Sequence, residues 1–246
     1  MEAVTFELED IPLRGPEPIV EINNLSFRYS KKHPLVLSDI SIDFFDKNLT
    51  VIAGPNGSGK TTLVKHFNGL ITPQMGTVKI LGQSVTKNNR REVQKLVGLV
   101  FQNPDEQIFF PRVYDDLAFG PRNMRLDPIE IAQRINKALE EVKITHLKDR
   151  ITFNLSFGEK KKVAFAGILA MNPKVVVLDE PTIGIDPWSK PQLLSIIRGF
   201  KRHRGVIVVS HDFDVMKIAD RIVLIKEGQI TGDFTSFKEF YKREFE

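Results

Sequence analysis

The chain has 246 residues, of which 41% are hydrophobic and 27% charged, with a formal net charge of +4 and no cysteine. A chain of this length buries a real core and suits one large domain, or one domain with a subdomain. The lack of cysteine excludes disulfides and thiolate metal sites, no run approaches the ~18 apolar residues of a membrane span, and the mild positive charge alone selects neither nucleic acid nor an anionic membrane surface.

The first ten residues are acidic and carry no apolar segment, so no signal peptide is expected there. Residues 1–18, with Pro12, Gly15, Pro16 and Pro18, read as an irregular lead-in. Strands are expected from Ile19, over 19–22 and 25–29, and then over Leu37 to Phe44, where apolar and polar residues alternate as in a half-buried antiparallel strand. Leu49 to Ala53 is an apolar strand, and Gly76 to Gly82 a short strand between turn residues. Residues 127–143 predict an amphipathic helix. Asp127 is its N-cap, Pro128 its first residue and Glu130 the closing member of a capping box, with Ala132, Ile135, Leu139 and Val142 on its apolar face. Ser156 opens a further helix, with Glu159 three residues on, and Asn172-Pro173 stops it. Val175 to Leu178 and Gly205 to Val209 are continuous apolar runs of the kind buried on both faces of a parallel sheet. Lys226-Glu227-Gly228 reads as the turn of a hairpin between Ile222–Ile225 and Gln229–Thr231.

Three patches carry chemistry. Gly54-Pro55-Asn56-Gly57-Ser58-Gly59-Lys60-Thr61-Thr62 fits the P-loop pattern G-x-x-x-x-G-K-[ST] and follows a strand, as that motif requires. Gly54, Gly57 and Gly59 can take positive φ, and a helix starting near Lys60 turns free N–H groups and its positive end toward an anion. Lys60 can reach the β and γ phosphates of a nucleotide, and Thr61 offers a hydroxyl to Mg²⁺. Asp179, at the end of the apolar run, can hold Mg²⁺ directly or through water, while Glu180 can orient or deprotonate an attacking water. The third patch is Leu155-Ser156-Phe157-Gly158-Glu159. There Ser156 either caps its own helix, in an ordinary capping box, or turns its hydroxyl to an incoming γ-phosphate.

These motifs, in this order, resemble the nucleotide-binding subunits of ATP-binding-cassette (ABC) ATPases over about Ile19 to Gly232. The resemblance implies an α/β fold of P-loop NTPase type: a mainly parallel sheet core, an antiparallel β subdomain, and a helical subdomain over about 103–170. Residues 233–246 are left as a C-terminal tail. In that family residues 54–62 are the Walker A loop, 155–159 the signature and 175–180 the Walker B strand with its acid. Tyr29 falls where an aromatic ring stacks on adenine. Gln102, after Val97 to Phe101, matches the glutamine that links Mg²⁺ to a transmembrane partner. Gly184-Ile185-Asp186 matches the D-loop, and His211 the histidine that senses the γ-phosphate. Each also has a bland alternative: Tyr29 as a strand aromatic, Gln102 as a surface amide, His211 as a loop histidine and Asp186 as a cap before Pro187. Two positions depart from the family's usual Leu-Ser-Gly-Gly-Gln. Phe157 adds bulk where backbone should approach phosphate, although Ser156 and Gly158 are kept. Glu159 adds negative charge near an anion site, which the capping box or Lys160-Lys161-Lys162 would neutralise.

Residues 100–109 and 113–123, with His66-Phe67-Asn68-Gly69-Leu70, resemble more particularly the ATPase subunits of energy-coupling-factor importers of cobalt, nickel or vitamins. This implies an ATP hydrolase using ATP and Mg²⁺, peripheral at the cytoplasmic face of the cell membrane. Its implied partners are a second ABC ATPase subunit (the same or a paralogous chain), a transmembrane coupling subunit and a separate membrane subunit that binds substrate. In this scheme nothing in the chain touches cargo. Asp105, Glu106, Asp115 and Asp116 are expected to receive basic side chains of the coupling subunit, or else to form a solvated loop. The alternatives are the ATPase of another ABC transporter, or a soluble ABC ATPase acting on nucleic acid or ribosomes. The chain lacks both the long coiled coil of repair ATPases and the second cassette of ribosome-type members, so no nucleic acid is expected.

Overall fold

The computed structural model describes residues 17–246, so most of the expected lead-in lies outside the described residues. In chain order the strands and helices are β1 (Val20–Phe27), β2 (Leu37–Phe44), β3 (Leu49–Ala53), α1 (Lys60–Phe67), β4 (Met75–Ile80), β5 (Gln83–Ser84), α2 (Arg90–Leu96), β6 (Val97–Val100), α3 (Val113–Asn123), α4 (Pro128–Glu141), α5 (Phe157–Leu169), β7 (Val175–Asp179), α6 (Lys190–Phe200), β8 (Gly205–Val209), α7 (Phe213–Lys217), β9 (Arg221–Lys226), β10 (Gln229–Phe234) and α8 (Phe237–Phe245). They form two sheets. One is four-stranded and antiparallel, in the order β2-β1-β4-β5; the other is six-stranded, in the order β10-β9-β3-β8-β7-β6. Within the larger sheet β9, β3, β8, β7 and β6 are parallel, and β10 closes one edge as an antiparallel hairpin with β9.

Every residue of β3, β7 and β8 is buried. Because side chains alternate across a strand, each of these apolar runs feeds two cores. Val51, Val176, Leu178, Val206 and Val208 face a core shared with α3, α4, α5 and α6. Ile52, Val175, Val177, Ile207 and Val209 face a second core shared with the antiparallel sheet and α1. The topology decides the site. β3, β8 and β7 are neighbours, so the loops leaving their C-terminal ends open onto one edge of the sheet, where ligands of open α/β sheets bind.

Four local expectations are corrected. The strands expected over 19–22 and 25–29 are one strand, β1, with a register shift between Ile22 and Leu25; Asn24 takes φ 50° there and its amide donates to Asp39 at 2.8 Å. In α4 the Glu130 carboxylate accepts from Arg134 at 2.9 Å and does not close a capping box, although Asp127 accepts from the N–H groups of Ile129 and Glu130. The buried face of α4 uses Ile131 and Ala138, while Ala132 is only half-buried. The boundary expected at 232 falls inside β10, and the supposed tail contains α8, capped by Ser236 and anchored by Phe240 against Phe234.

Phe200, fully buried at the end of α6, meets Phe165 of α5 edge-on at 6.0 Å and so joins two helices of the first core. Phe200→Ala is expected to cost ~3–5 kcal/mol of stability, the usual loss for emptying a buried aromatic site. The measurement is the denaturant midpoint at unchanged m-value; a shift worth under ~1 kcal/mol would show that the site collapses around the smaller residue.

Candidate functional site

The loop after β3 is built so that only glycine fits at its tight points. Gly54 has φ 144°, and a Cβ there would lie 2.0 Å from the Ile225 carbonyl oxygen; Gly59 has φ 99°, and its Cβ would lie 2.7 Å from the Val36 carbonyl oxygen. Gly57 also takes positive φ, in open space. Pro55, Asn56 and Gly57 are exposed and Ser58 is buried. Gly59 caps α1 without a side chain and the first turn holds no acid, so the N–H groups at that end stay available to an anion. Lys60 is buried, and its ammonium donates to the carbonyls of Gly54 and Pro55, each at 2.8 Å. Burial pushes the Lys60 ammonium below its ordinary range, opposed by Glu180 and Asp179. A cavity of about 410 Å³ opens over this loop, lined among others by Asn56, Lys60, Thr61, Thr62, Gln102, Glu180 and His211.

The two acids enter from the end of β7. The Thr61 hydroxyl donates to Asp179 Oδ2 at 2.9 Å, and Asp179 Oδ1 is buried with no hydrogen-bond partner. Burial raises the Asp179 pKa; the Thr61 hydrogen bond opposes that, and neighbouring Glu180 adds to it. Glu180 takes φ 47°. Its Oε1 lies 2.9 Å from His211 Nδ1, which comes from the end of β8, and its Oε2 is buried without a partner. A second cavity, of about 430 Å³, is lined by Thr61, Gln102, Asp179, Phe157 and Ile183 among others. The free Asp179 oxygen beside the Thr61 hydroxyl suits a hard cation. Among the described residues no group of three or more His, Asp or Glu forms a cation cage, so such an ion would draw its remaining ligands from water and phosphate, the habit of Mg²⁺.

Loop, acids, His211 and Gln102 are thus brought together, with Tyr29 beside the loop; Ser156, Gly158 and Asp186 are not. Tyr29 is 59% exposed, meets Phe27 edge-on at 5.1 Å, and shares a 3.1 Å hydrogen bond with the Thr62 hydroxyl. This fixes the ring beside the loop with a face open to solvent. Ser156 and Gly158 lie at the start of α5 and line neither cavity. Both halves of the capping box are made: Ser156 Oγ accepts from the Glu159 N–H at 3.3 Å, and the Glu159 carboxylate accepts from the Ser156 N–H at 2.8 Å, which lowers the Glu159 pKa. Of the neighbouring lysines, Lys160 pairs with Asp105 at 2.7 Å, Lys162 donates to Gln192 and Lys161 turns inward, so the box and not these lysines compensates Glu159. Asp186 makes a local cap, its Oδ1 accepting from the N–H groups of Trp188 and Ser189. The acids over 105–116 are largely used within the chain. Asp116 accepts from the N–H groups of Phe109 and Phe110, Asp115 lies 3.6 Å from Arg122, and Glu106 remains at the surface. Two features escape sequence reasoning. Lys161 is a buried lysine, and Trp188 is 93% exposed just after Asp186.

Comparison with known proteins places the chain. The ABC transporter family profile matches residues 37–183. The energy-coupling factor transporter ATP-binding protein EcfA of Methanoculleus marisnigri is 46% identical over 201 residues, covering 80% of this chain and 73% of that protein. The EcfA of Carboxydothermus hydrogenoformans is 42% identical, covering 87% of this chain and 80% of that protein. Among solved structures, cbiO1 of Clostridium perfringens, described as part of the ABC transporter complex cbiONQ, superposes with a TM-score of 0.84 at 34% identity over 92% of each chain. A dimeric ATP-binding cassette bound to ADP and Pi has the same fold, with a TM-score of 0.77 at 21% identity over 88% of this chain and 98% of that one.

Replacing Tyr29 by Ala removes an open ring face beside the loop without touching the loop's own hydrogen bonds to Lys60. The variant is expected to lose ~1–2 kcal/mol of ATP affinity by calorimetry, in line with base–aromatic stacking. Unchanged binding would make Tyr29 only a partner of Phe27 and Thr62.

Proposed function

We propose, from the premise that this chain belongs to the ABC transporter family as an ATPase of the energy-coupling-factor type, that it hydrolyses ATP to drive an importer of metal ions or vitamins. One observation carries the reading. The ends of β3, β7 and β8 bring Lys60, Thr61, Asp179, Glu180 and His211 around a single loop of anion-binding geometry.

Each residue then has a physical task. The N–H groups of residues 57–61 and the α1 terminus bind the phosphates, and Lys60 exchanges its two carbonyls for phosphate oxygens. Thr61, Asp179 and Gln102 would hold Mg²⁺, which when bound neutralises charge on the phosphates. Glu180 Oε2, buried and unpartnered, accepts the proton of an attacking water, while His211 fixes the other oxygen of the same carboxylate. Ser156 and Gly158 lie outside their own chain's cavities, which supports their acting on ATP held by a second subunit. No described helix is long and apolar enough to cross a membrane, so the membrane-spanning work is assigned to separate coupling and substrate-binding subunits, with this chain peripheral at the cytoplasmic face.

The coupling contact is assigned to aromatic side chains rather than to the acids, which are mostly paired. Phe109 and Phe153 are 70% and 74% exposed, and Phe119 is also exposed. They sit on neighbouring segments, since Phe110 meets Phe119 at 5.6 Å and Thr152 donates to the Phe110 carbonyl. An exposed cluster of this kind marks a protein-binding surface.

Two outcomes are expected. Glu180→Gln should lower hydrolysis ~10²–10⁴-fold, the range for removal of a general base, while ATP still binds. Near-normal turnover would sink the assignment. Phe119→Ser together with Phe153→Ser should abolish co-purification with the membrane subunit and leave ATP binding intact; retained assembly would move the coupling contact elsewhere.

A further inference from the structure

Lys161 is 1% exposed, in a helix whose other buried residues are all apolar. A buried ammonium persists only where its protons are taken up. Here Lys161 Nζ donates to the main-chain carbonyls of Glu180 at 3.0 Å and Pro181 at 2.9 Å. It also lies over the ring of Phe157, 5.4 Å from the centroid. Phe157 stands four residues earlier, on the same face of the helix. That ring packs on Gly184 so closely that a Cβ there would come within 2.6 Å of it. The two side chains therefore hold both ends of the turn 180–184. Within that turn Glu180 has φ 47°, a conformation that residues with a Cβ seldom adopt and that must be imposed from outside. Phe157 is also one of the chain's departures from the Leu-Ser-Gly-Gly-Gln pattern.

We propose that Lys161 and Phe157 are positioning residues, a clamp on the turn 180–184 that holds the Glu180 carboxylate where it meets water. The clamp is carried by the helix whose first turn contains Ser156 and Gly158. Any displacement of α5 by a phosphate engaged at that first turn therefore moves the Glu180 backbone of the same chain. In a closed pair of subunits, ATP bound in one site would set the general base of the other through a single rigid helix.

The inference rests on Glu180 acting as the base, so Lys161→Met, Phe157→Ala and Glu180→Gln are compared in the full-length chain. Turnover, KM for Mg-ATP and equilibrium ATP binding are measured for each. Lys161→Met keeps the stem and removes the donors. It is expected to lower kcat ~10–100-fold, as small misplacements of a reacting group do, with KM and ATP affinity within about threefold of the parent. Phe157→Ala, at a partly exposed site, should shift kcat in the same direction with the same unchanged KM. Parental kcat in both variants, with Glu180→Gln inactive, overturns the clamp and leaves the base assignment standing. Loss of ATP binding in parallel with kcat in both variants makes the pair a structural support of the loop and also overturns the clamp. Normal hydrolysis by Glu180→Gln removes the base assignment and the clamp with it.

Discussion

Two carboxylates and two ammonium groups share the C-terminal edge of one buried parallel sheet, and much of the molecule serves to keep them there. Asp179 and Glu180 are adjacent and buried, and Lys60 and Lys161 are the cations that feel both. Burial drives the Lys161 pKa down to about 8 against the pull of Glu180 and Asp179, and it lowers that of Lys60 in the same way. Removing such charges from water is costly, and neither ammonium forms a direct salt bridge to the acids. Each instead spends its protons on main-chain carbonyls: Lys60 on Gly54 and Pro55, Lys161 on Glu180 and Pro181. The acids keep one oxygen each unpartnered. Both lysines are therefore spent on backbone carbonyls, and neither cancels a carboxylate of the site by a direct ion pair.

That arrangement follows from strand order. β8 lies between β3 and β7, so the phosphate-type loop, the acidic turn and the His211 segment leave the sheet side by side although they are far apart in sequence. The pairing of Asp179 with Val209, and of the Glu180 N–H with the Val209 carbonyl at 2.9 Å, sets the height of the acids relative to His211. A slip of one residue would reverse every side chain of a strand that feeds two cores, which makes the register costly to change.

The parts legible in the sequence were those encoded locally. Gly54, Gly57 and Gly59 announce positive φ, the runs at 49–53, 175–178 and 205–209 announce buried strands, and Ser156 with Glu159 announces a cap. What escaped depends on residues distant in the chain. Nothing near Lys161 indicates that it turns inward while Lys160 and Lys162 find surface partners, because its acceptors lie 19 and 20 residues away. Asp105 and Asp116 read as free acids until Lys160 and the N–H groups of Phe109 and Phe110 fold onto them. The helix at 237–245 carries local signals of its own, a capping serine at 236 and an amphipathic pattern.

The structure also separates what one chain completes from what it leaves open. Within a single chain the loop, Glu180, Gln102 and His211 line one cavity and Asp179 a second, with Thr61 and Gln102 lining both. The first turn of α5 is instead satisfied by its own capping box, and Trp188 stands 93% exposed beyond the Asp186 cap. Exposure of an indole on a short capped turn gains nothing for the isolated fold, since burial of so large a ring is among the strongest apolar gains available. An indole held out of its own core, and an α5 start whose Ser156 and Gly158 line neither cavity of their own chain, are features of the kind that half an interface presents. On the proposed reading, the contacts that would complete the nucleotide site are left to association, and the fold of the single chain does not depend on them.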